Sequence, residues 1–279
     1  MKTKTLLSLA LAGFVGASLQ GSIILSDDFS GYTPGLINGD AGNPQTGSYD
    51  NTWTGFTSGG NANFTADGRL QITRPSGSFN GAYSAFIDPA GAAGSGGTVI
   101  YFSADLTMNS GVDGAAFGLT MDTKPNNLIG FNASGQAAIW NNVEAGTSNS
   151  GNNYSSFVGQ EEVSSTSTFA VGTTYTLVGK IADGSSDSVS LWVNPTPGDP
   201  ESAPLISANV GFDGLFPGNP SIIQFTFLAA TNDAGESAFL DNLVIGETWS
   251  DVVPVPEPST FALLFGALAL SLVFLRRRR

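Results

Sequence analysis

Apolar and polar residues alternate with a period of two along much of this chain, and that period belongs to strands, not to helices. Over Thr173–Ile181, Tyr175, Leu177 and Ile181 fall on one side, and Thr174, Thr176 and Lys180 on the other. Over Asp187–Asn194, Val189, Leu191 and Val193 oppose Ser188, Ser190 and Trp192. Thr98–Met108, Ser221–Leu228 and Ser237–Ile245 are rich in β-branched and aromatic residues, and 22–28, 69–74, 81–88, 114–122, 128–133 and 136–141 add shorter candidates. No amphipathic helix is evident between them, because Gly, Asn, Asp and Pro break the runs. About a dozen short strands with such turn signals predict an all-β fold, a two-sheet antiparallel sandwich. The 36 glycines suit its turns and bulges, since Gly alone reaches positive φ at little cost. Asp183–Asp187 reads as a hairpin loop. Asn194–Pro200 reads as a loop within one domain, because strand pattern resumes on both sides. No repeat period emerges, which argues against a propeller or solenoid.

Charge narrows the partners. The net charge is -13, with no His and no Cys. Six of the ten cations stand at the ends, leaving only Arg69, Arg74, Lys124 and Lys180 between residues 22 and 253, against every acid but Glu257. Such a surface repels phosphate backbones, so nucleic acid is not an expected partner. Without His or Cys the chain cannot assemble Ser-His or Cys-His catalysis, disulfides or thiolate metal sites.

The two ends read as addresses. Met1-Lys2-Thr3-Lys4, the apolar stretch Leu6–Val15 and the small residues Gly16, Ala17 and Ser18 predict a secretory signal peptide over residues 1–21. At the other end, a Pro-rich linker over 251–259 leads into a transmembrane helix over 260–275. Phe261–Leu275 holds fifteen uncharged residues, and Arg276, Arg277, Arg278 and Arg279 follow. A full crossing takes about 20 residues, so the span needs its flanks. The arginines would hold the extreme end in the cytoplasm and leave the acidic core outside.

Pro256, Glu257 and Pro258, the short span and the arginine cluster, in that order, resemble the PEP-CTERM sorting signal of Gram-negative bacteria. The resemblance implies an exosortase-type processing enzyme as a partner and removal of the tail near the motif. It also implies a transient inner-membrane intermediate and delivery to the cell envelope or extracellular matrix. A second resemblance spans residues 22–250. Leu25-Ser-Asp-Asp-Phe-Ser-Gly-Tyr-Thr-Pro-Gly35, followed by Trp53-Thr-Gly-Phe56, is similar to the opening of concanavalin A-like, laminin-G-like domains. Ala238-Phe-Leu-Asp-Asn-Leu-Val-Ile-Gly246, running into Trp249-Ser-Asp-Val252, is similar to their close. This implies a jelly roll whose first and last strands lie side by side.

Chemistry enters through acids and aromatics. A glycoside hydrolase on such a fold needs two carboxylates about 5–9 Å apart, and families of that kind carry Glu-x-Asp-x-Glu on one strand. None of the glutamates here forms that pattern, and Glu161 and Glu162, as strand neighbours, would face opposite sides. No catalytic residue is therefore expected. Abundant Asp with no soft ligand suits Ca²⁺ as a structural ion. Asp27 or Asp28 from the opening strand and Asp241 from the closing strand would approach one another if those strands pair, which resembles the structural calcium site of several concanavalin A-like families. The other reading is that these acids accept turn or backbone hydrogen bonds. Trp192, opposite an apolar face, and Trp140, beside Asn141 and Asn142, are candidate sugar-stacking platforms, with core packing as the alternative for each. Trp53 and Trp249 read as wedges near the sheet ends. The expected function is that of a non-enzymatic exported envelope or matrix protein that binds or organises surface polysaccharide. The rival readings are a self-associating structural protein and a diverged glycan hydrolase.

Overall fold

The computed structural model describes residues 23–37, 44–46, 54–55, 62–73, 80–87, 99–120, 126–143, 163–182, 188–196, 199–209, 222–230 and 235–253. In chain order the strands are β1 (Ile23–Asp27), β2 (Gly35–Leu36), β3 (Thr54–Gly55), β4 (Ala62–Phe64), β5 (Leu70–Thr73), β6 (Asn80–Ile87), β7 (Val99–Met108) and β8 (Gly114–Thr120). They continue as β9 (Asn126–Asn132), β10 (Gln136–Val143), β11 (Val163–Thr168), β12 (Thr174–Ala182), β13 (Ser188–Val193), β14 (Ile206–Asn209), β15 (Ile222–Ala230) and β16 (Ser237–Gly246). A single-turn helix, α1 (Trp249–Val252), follows. The expected long strands all form, within a residue or two of their predicted ends. The sequence pattern missed β11, whose Val-Ser-Ser-Thr-Ser-Thr carries almost no apolar signal, and the short β2, β3, β4 and β14.

The strands form two antiparallel sheets. One has nine strands in the order β14-β13-β12-β7-β16-β5-β4-β2, with β1 also on β16; the other has seven in the order β11-β10-β9-β8-β15-β6-β3. The first and last strands do lie side by side, with Ser26 opposite Val244 and Asp27 opposite Leu243. The closing strand β16 changes neighbour along its length: its first half pairs β5 and its second half pairs β1. The register on β7 slips between Asp241 and Val244, and Asn242 there takes a φ of +51°. Asn tolerates that left-handed conformation better than most residues. Strands β12 and β13 pair from Ala182–Ser188 to Leu177–Val193, and the expected loop 183–187 between them lies outside the described residues.

The core lies between the sheets and is built by the alternation. Ile100, Phe102, Ala104 and Leu106 of β7, with Leu177 and Ile181 of β12, meet Phe117 of β8 and Phe225 and Phe227 of β15. At Gly179 an added Cβ would stand 2.2 Å from Cζ of Phe102, so the ring occupies the space a side chain there would need. A second apolar layer lies on the far side of the seven-stranded sheet, where Ala116, Leu128, Ala138, Trp140, Leu228 and Ala230 are buried together. At Gly118 in that sheet, an added Cβ would stand 1.9 Å from the carbonyl oxygen of Asn127 on the adjacent strand. The strands approach too closely there for any other residue.

The described residues contain no helix long and apolar enough to cross a membrane. The predicted signal peptide, the Pro256-Glu257-Pro258 motif, the 260–275 span, the arginine cluster and Trp53 lie outside the described residues.

Candidate functional site

The outward face of the nine-stranded sheet is polar along most of its rows and aromatic in one corner. Alternation on β7 turns Tyr101, Ser103, Asp105 and Thr107 away from the core, since Ile100, Phe102, Ala104 and Leu106 turn into it. Their partners on β12 are Lys180, Val178, Thr176 and Thr174 in register, and Trp192 on β13 stands beside Val178. Hydroxyls bond across the strands: Thr107 with Thr174 at 2.7 Å, Thr176 donating to Asp105, and Ser190 with Ser207 at 2.8 Å.

In the corner, the chain leaves β16 at Gly246, opposite Tyr101, and folds back over this face. Thr248 starts α1 with a capping box. Its backbone N–H and its hydroxyl both donate to the Asp251 carboxylate, at 2.8 and 2.7 Å, which satisfies donors that the first turn of a helix leaves free. Gly246 makes the fold-back possible, because a Cβ there would lie 2.5 Å from Cβ of Asp251. Trp249 then packs on Trp192 at 4.8 Å between ring centroids and meets Tyr101 edge-on at 6.4 Å. Tyr101, Val178, Trp192, Val252 and Val253 form one buried cluster, with Trp249 half-buried against it. The expectation that Trp192 offers an exposed platform is therefore corrected: it does face away from the main core, but α1 and Val253 cover it, leaving it 5% exposed. The indole Nε1 of Trp192 is buried there with no hydrogen-bond acceptor among the described residues. Trp140 is corrected likewise, fully buried in the layer outside the seven-stranded sheet.

A polar pair borders the aromatic corner. Glu201, brought in by the loop before β14, accepts hydrogen bonds from Lys180 Nζ at 2.6 Å and from the Tyr101 hydroxyl at 2.7 Å. Both charged side chains remain partly exposed. Burial pushes the Tyr101 phenol up, and its hydrogen bond to the Glu201 carboxylate and that carboxylate's charge push it further, so it stays a neutral donor. Burial alone would raise Glu201, but the hydrogen bonds from Lys180 and Tyr101, with the Lys180 charge, outweigh it and hold the acid below its ordinary value. An acid held ionised can accept from hydroxyls but is no proton donor at neutral pH, which general-acid hydrolysis of a glycoside requires. The corner thus sets the half-buried Trp249 ring beside an ammonium donor and a carboxylate acceptor. This is chemistry for holding a polyhydroxylated ring, whose CH face packs on aromatics while its hydroxyls bond polar groups.

The aspartates expected to gather a calcium ion each accept hydrogen bonds from nearby groups. Asp27 is buried, its Oδ1 accepting from the Phe29 N–H at 2.8 Å and its Oδ2 from the Tyr32 hydroxyl at 2.5 Å. Phe29 sits at φ +52°, a conformation this local bond helps to hold. The half-buried Asp28 accepts from the N–H and hydroxyl of Ser30 and from the Gln45 amide, and those bonds hold its carboxyl below the usual range. Asp241 accepts from the Asn242 N–H. Burial raises its carboxyl, and the charges of Asp105 and Asp28 add to that. Strand pairing brings these acids to one region, but no group of three acids able to hold a metal ion occurs among the described residues. Asp27, Asp28 and Asp241 each accept hydrogen bonds from the protein, as the alternative reading of these acids expects. Glu161 and Glu162 lie outside the described residues.

Tyr101, Lys180 and Glu201 were not singled out as site residues from the sequence. Lys180 carried a faint signal, being one of four cations in the core of the chain and on the same predicted side of its hairpin as Trp192. Glu201 carried none, since it arrives from a loop.

Neither a protein-family model nor a curated protein sequence matches this chain. Solved structures similar to it include lectin II from Ulex europaeus, at 16% identity and a TM-score of 0.45, covering 81% of this chain and 99% of the lectin. Lectin I from Ulex europaeus, in complex with the methyl glycoside of α-L-fucose, matches at 14% identity and a TM-score of 0.46, covering 79% and 96%. A glycosyl hydrolase family protein from Mycobacterium fortuitum matches at 15% and 0.43, covering 80% and 99%. The likeness to these structures concerns the arrangement of strands.

Proposed function

We propose that this chain is a non-enzymatic exported protein of the cell envelope or extracellular matrix that binds or organises polysaccharide through its β-sandwich. The observation that carries the reading is the corner of Trp249, Trp192 and Tyr101 bordered by the Lys180–Glu201 pair. The half-buried Trp249 ring stands there beside partly exposed hydrogen-bonding groups of both senses, with Trp192 and Tyr101 buried beneath it. The ionised state of Glu201 favours binding over hydrolysis. The tail pattern at Pro256-Glu257-Pro258 and Arg276–Arg279 supports export followed by sorting through an exosortase-type enzyme.

The test is affinity electrophoresis of the full-length chain and of protein isolated from the producing cells. Gels carry those cells' own exopolysaccharide, with soluble β-glucan and alginate for comparison. Retardation should weaken in Glu201→Gln and in Lys180→Met, both of which keep the stem of the side chain. The mass of the cell-derived protein should show Phe261–Arg279 removed. Retardation equal in wild type and both variants would detach the activity from this corner, and an intact tail would remove the sorting step.

A further inference from the structure

We infer that Thr248–Val253 is a strap that occupies a saccharide site on the nine-stranded sheet, and that its release uncovers Trp192 for the ligand. The inference rests on the polysaccharide reading above and goes further, to where the ring is held and what competes with it.

The strap is an imperfect occupant of its seat. Trp192 Nε1 is buried without an acceptor among the described residues. Of its companions in that cluster, Val178, Trp249, Val252 and Val253 carry no side-chain acceptor. A buried donor left unmade is costly. A polysaccharide removes that cost, because the CH face of one pyranose covers the indole as the valines do while a hydroxyl reaching the indole edge accepts from Nε1. Lys180 and Glu201 stand beside it, partly exposed, to bond the remaining hydroxyls.

The strap is also detachable. Among the described residues its hydrogen bonds are internal: Thr248 N–H and Oγ1 to the Asp251 carboxylate, Asp251 N–H to the Thr248 carbonyl at 3.1 Å, and Val253 N–H to the Trp249 carbonyl at 3.0 Å. It adds no strand to the sheet, so side-chain packing of Trp249, Val252 and Val253 is what seats it. It can lift from Gly246 as a unit without opening a sheet ladder.

The test compares wild type with two independently loosened full-length chains in the same gels. Val252→Ser/Val253→Ser removes the apolar anchors, and Asp251→Ala removes the cap without touching the buried cluster. Urea unfolding checks that each is folded, and acrylamide quenching of tryptophan fluorescence reports that the indoles have become accessible. With the strap closed in about nine-tenths of molecules, release should tighten apparent affinity about tenfold. Trp192→Phe in the loosened chain keeps the ring face, loses the N–H, and should give up most of that gain. If the double variant does not fold, Asp251→Ala decides alone. A loosened chain with quenchable tryptophan but wild-type affinity overturns the strap and leaves polysaccharide binding standing. Absence of retardation in wild type and loosened chains alike removes the polysaccharide reading, and the strap with it.

Discussion

Asp27 offers the sharpest quantitative test, because its carboxylate decides between a hydrogen-bonded turn and a metal ligand. It is buried on the opening strand, with the Phe29 N–H on one oxygen and the Tyr32 hydroxyl on the other. The Tyr32 ring is fixed in turn by stacking on Phe64 at 4.0 Å. Asp27→Ala removes both acceptors and strands two donors, one of them in the turn that holds Phe29 at positive φ. Bonds to a charged group contribute about 1.5–3 kcal/mol each, so the loss should be about 3–5 kcal/mol. At ~2–4 °C per kcal/mol for a domain of this size, the melting temperature should fall by about 6–20 °C. Urea unfolding of the full-length chain, followed by circular dichroism, reads the free energy directly. Tyr32→Phe alone should cost about 1–2 kcal/mol, and the double variant should cost less than the sum, because both changes remove the same bond. Chelator should leave the wild-type curve where it is. A wild type that falls to the level of Asp27→Ala when chelator is added would refute the hydrogen-bond account and restore a calcium ion to this site. An Asp27→Ala chain within about 1 kcal/mol of wild type would refute the argument from burial.

Two further outcomes follow from the packing and the charges. Gly179→Ala should destabilise by about 1–3 kcal/mol, because the added Cβ meets the Phe102 ring; Phe102→Leu should recover part of that loss, and additive costs in the unfolding curves would show that the ring is not what excludes the side chain. Asp241, raised by burial and by neighbouring Asp105 and Asp28, weakens the fold once ionised: its effect is absent below its unfolded value and grows as pH rises through the folded one. Asp241→Asn should therefore raise the melting temperature modestly at pH 7 and leave it unchanged near pH 3, and a gain of the same size at both would show that the charge is not the cause.

What the sequence by itself determined is the local geometry. Period-two alternation turned Val189, Leu191 and Val193 to one face and Trp192 to the other, and both assignments hold because a strand leaves a side chain no third direction. The opening and closing motifs implied neighbouring first and last strands, and β1 pairs β16. The polar edge strand β11 escaped notice because hydrogen bonds, not apolar residues, define it.

What only the tertiary structure decided is which outward residues stay outward. Trp192 had two faces available by pattern, but its exposure depended on a one-turn helix more than fifty residues later in the chain folding back at Gly246. Trp140 likewise faces away from the core and is nonetheless buried. Glu201 reached Lys180 and Tyr101 through a loop whose path no periodicity encodes. Alternation fixes direction within a strand, whereas burial and charge pairing are properties of what the rest of the chain lays over it.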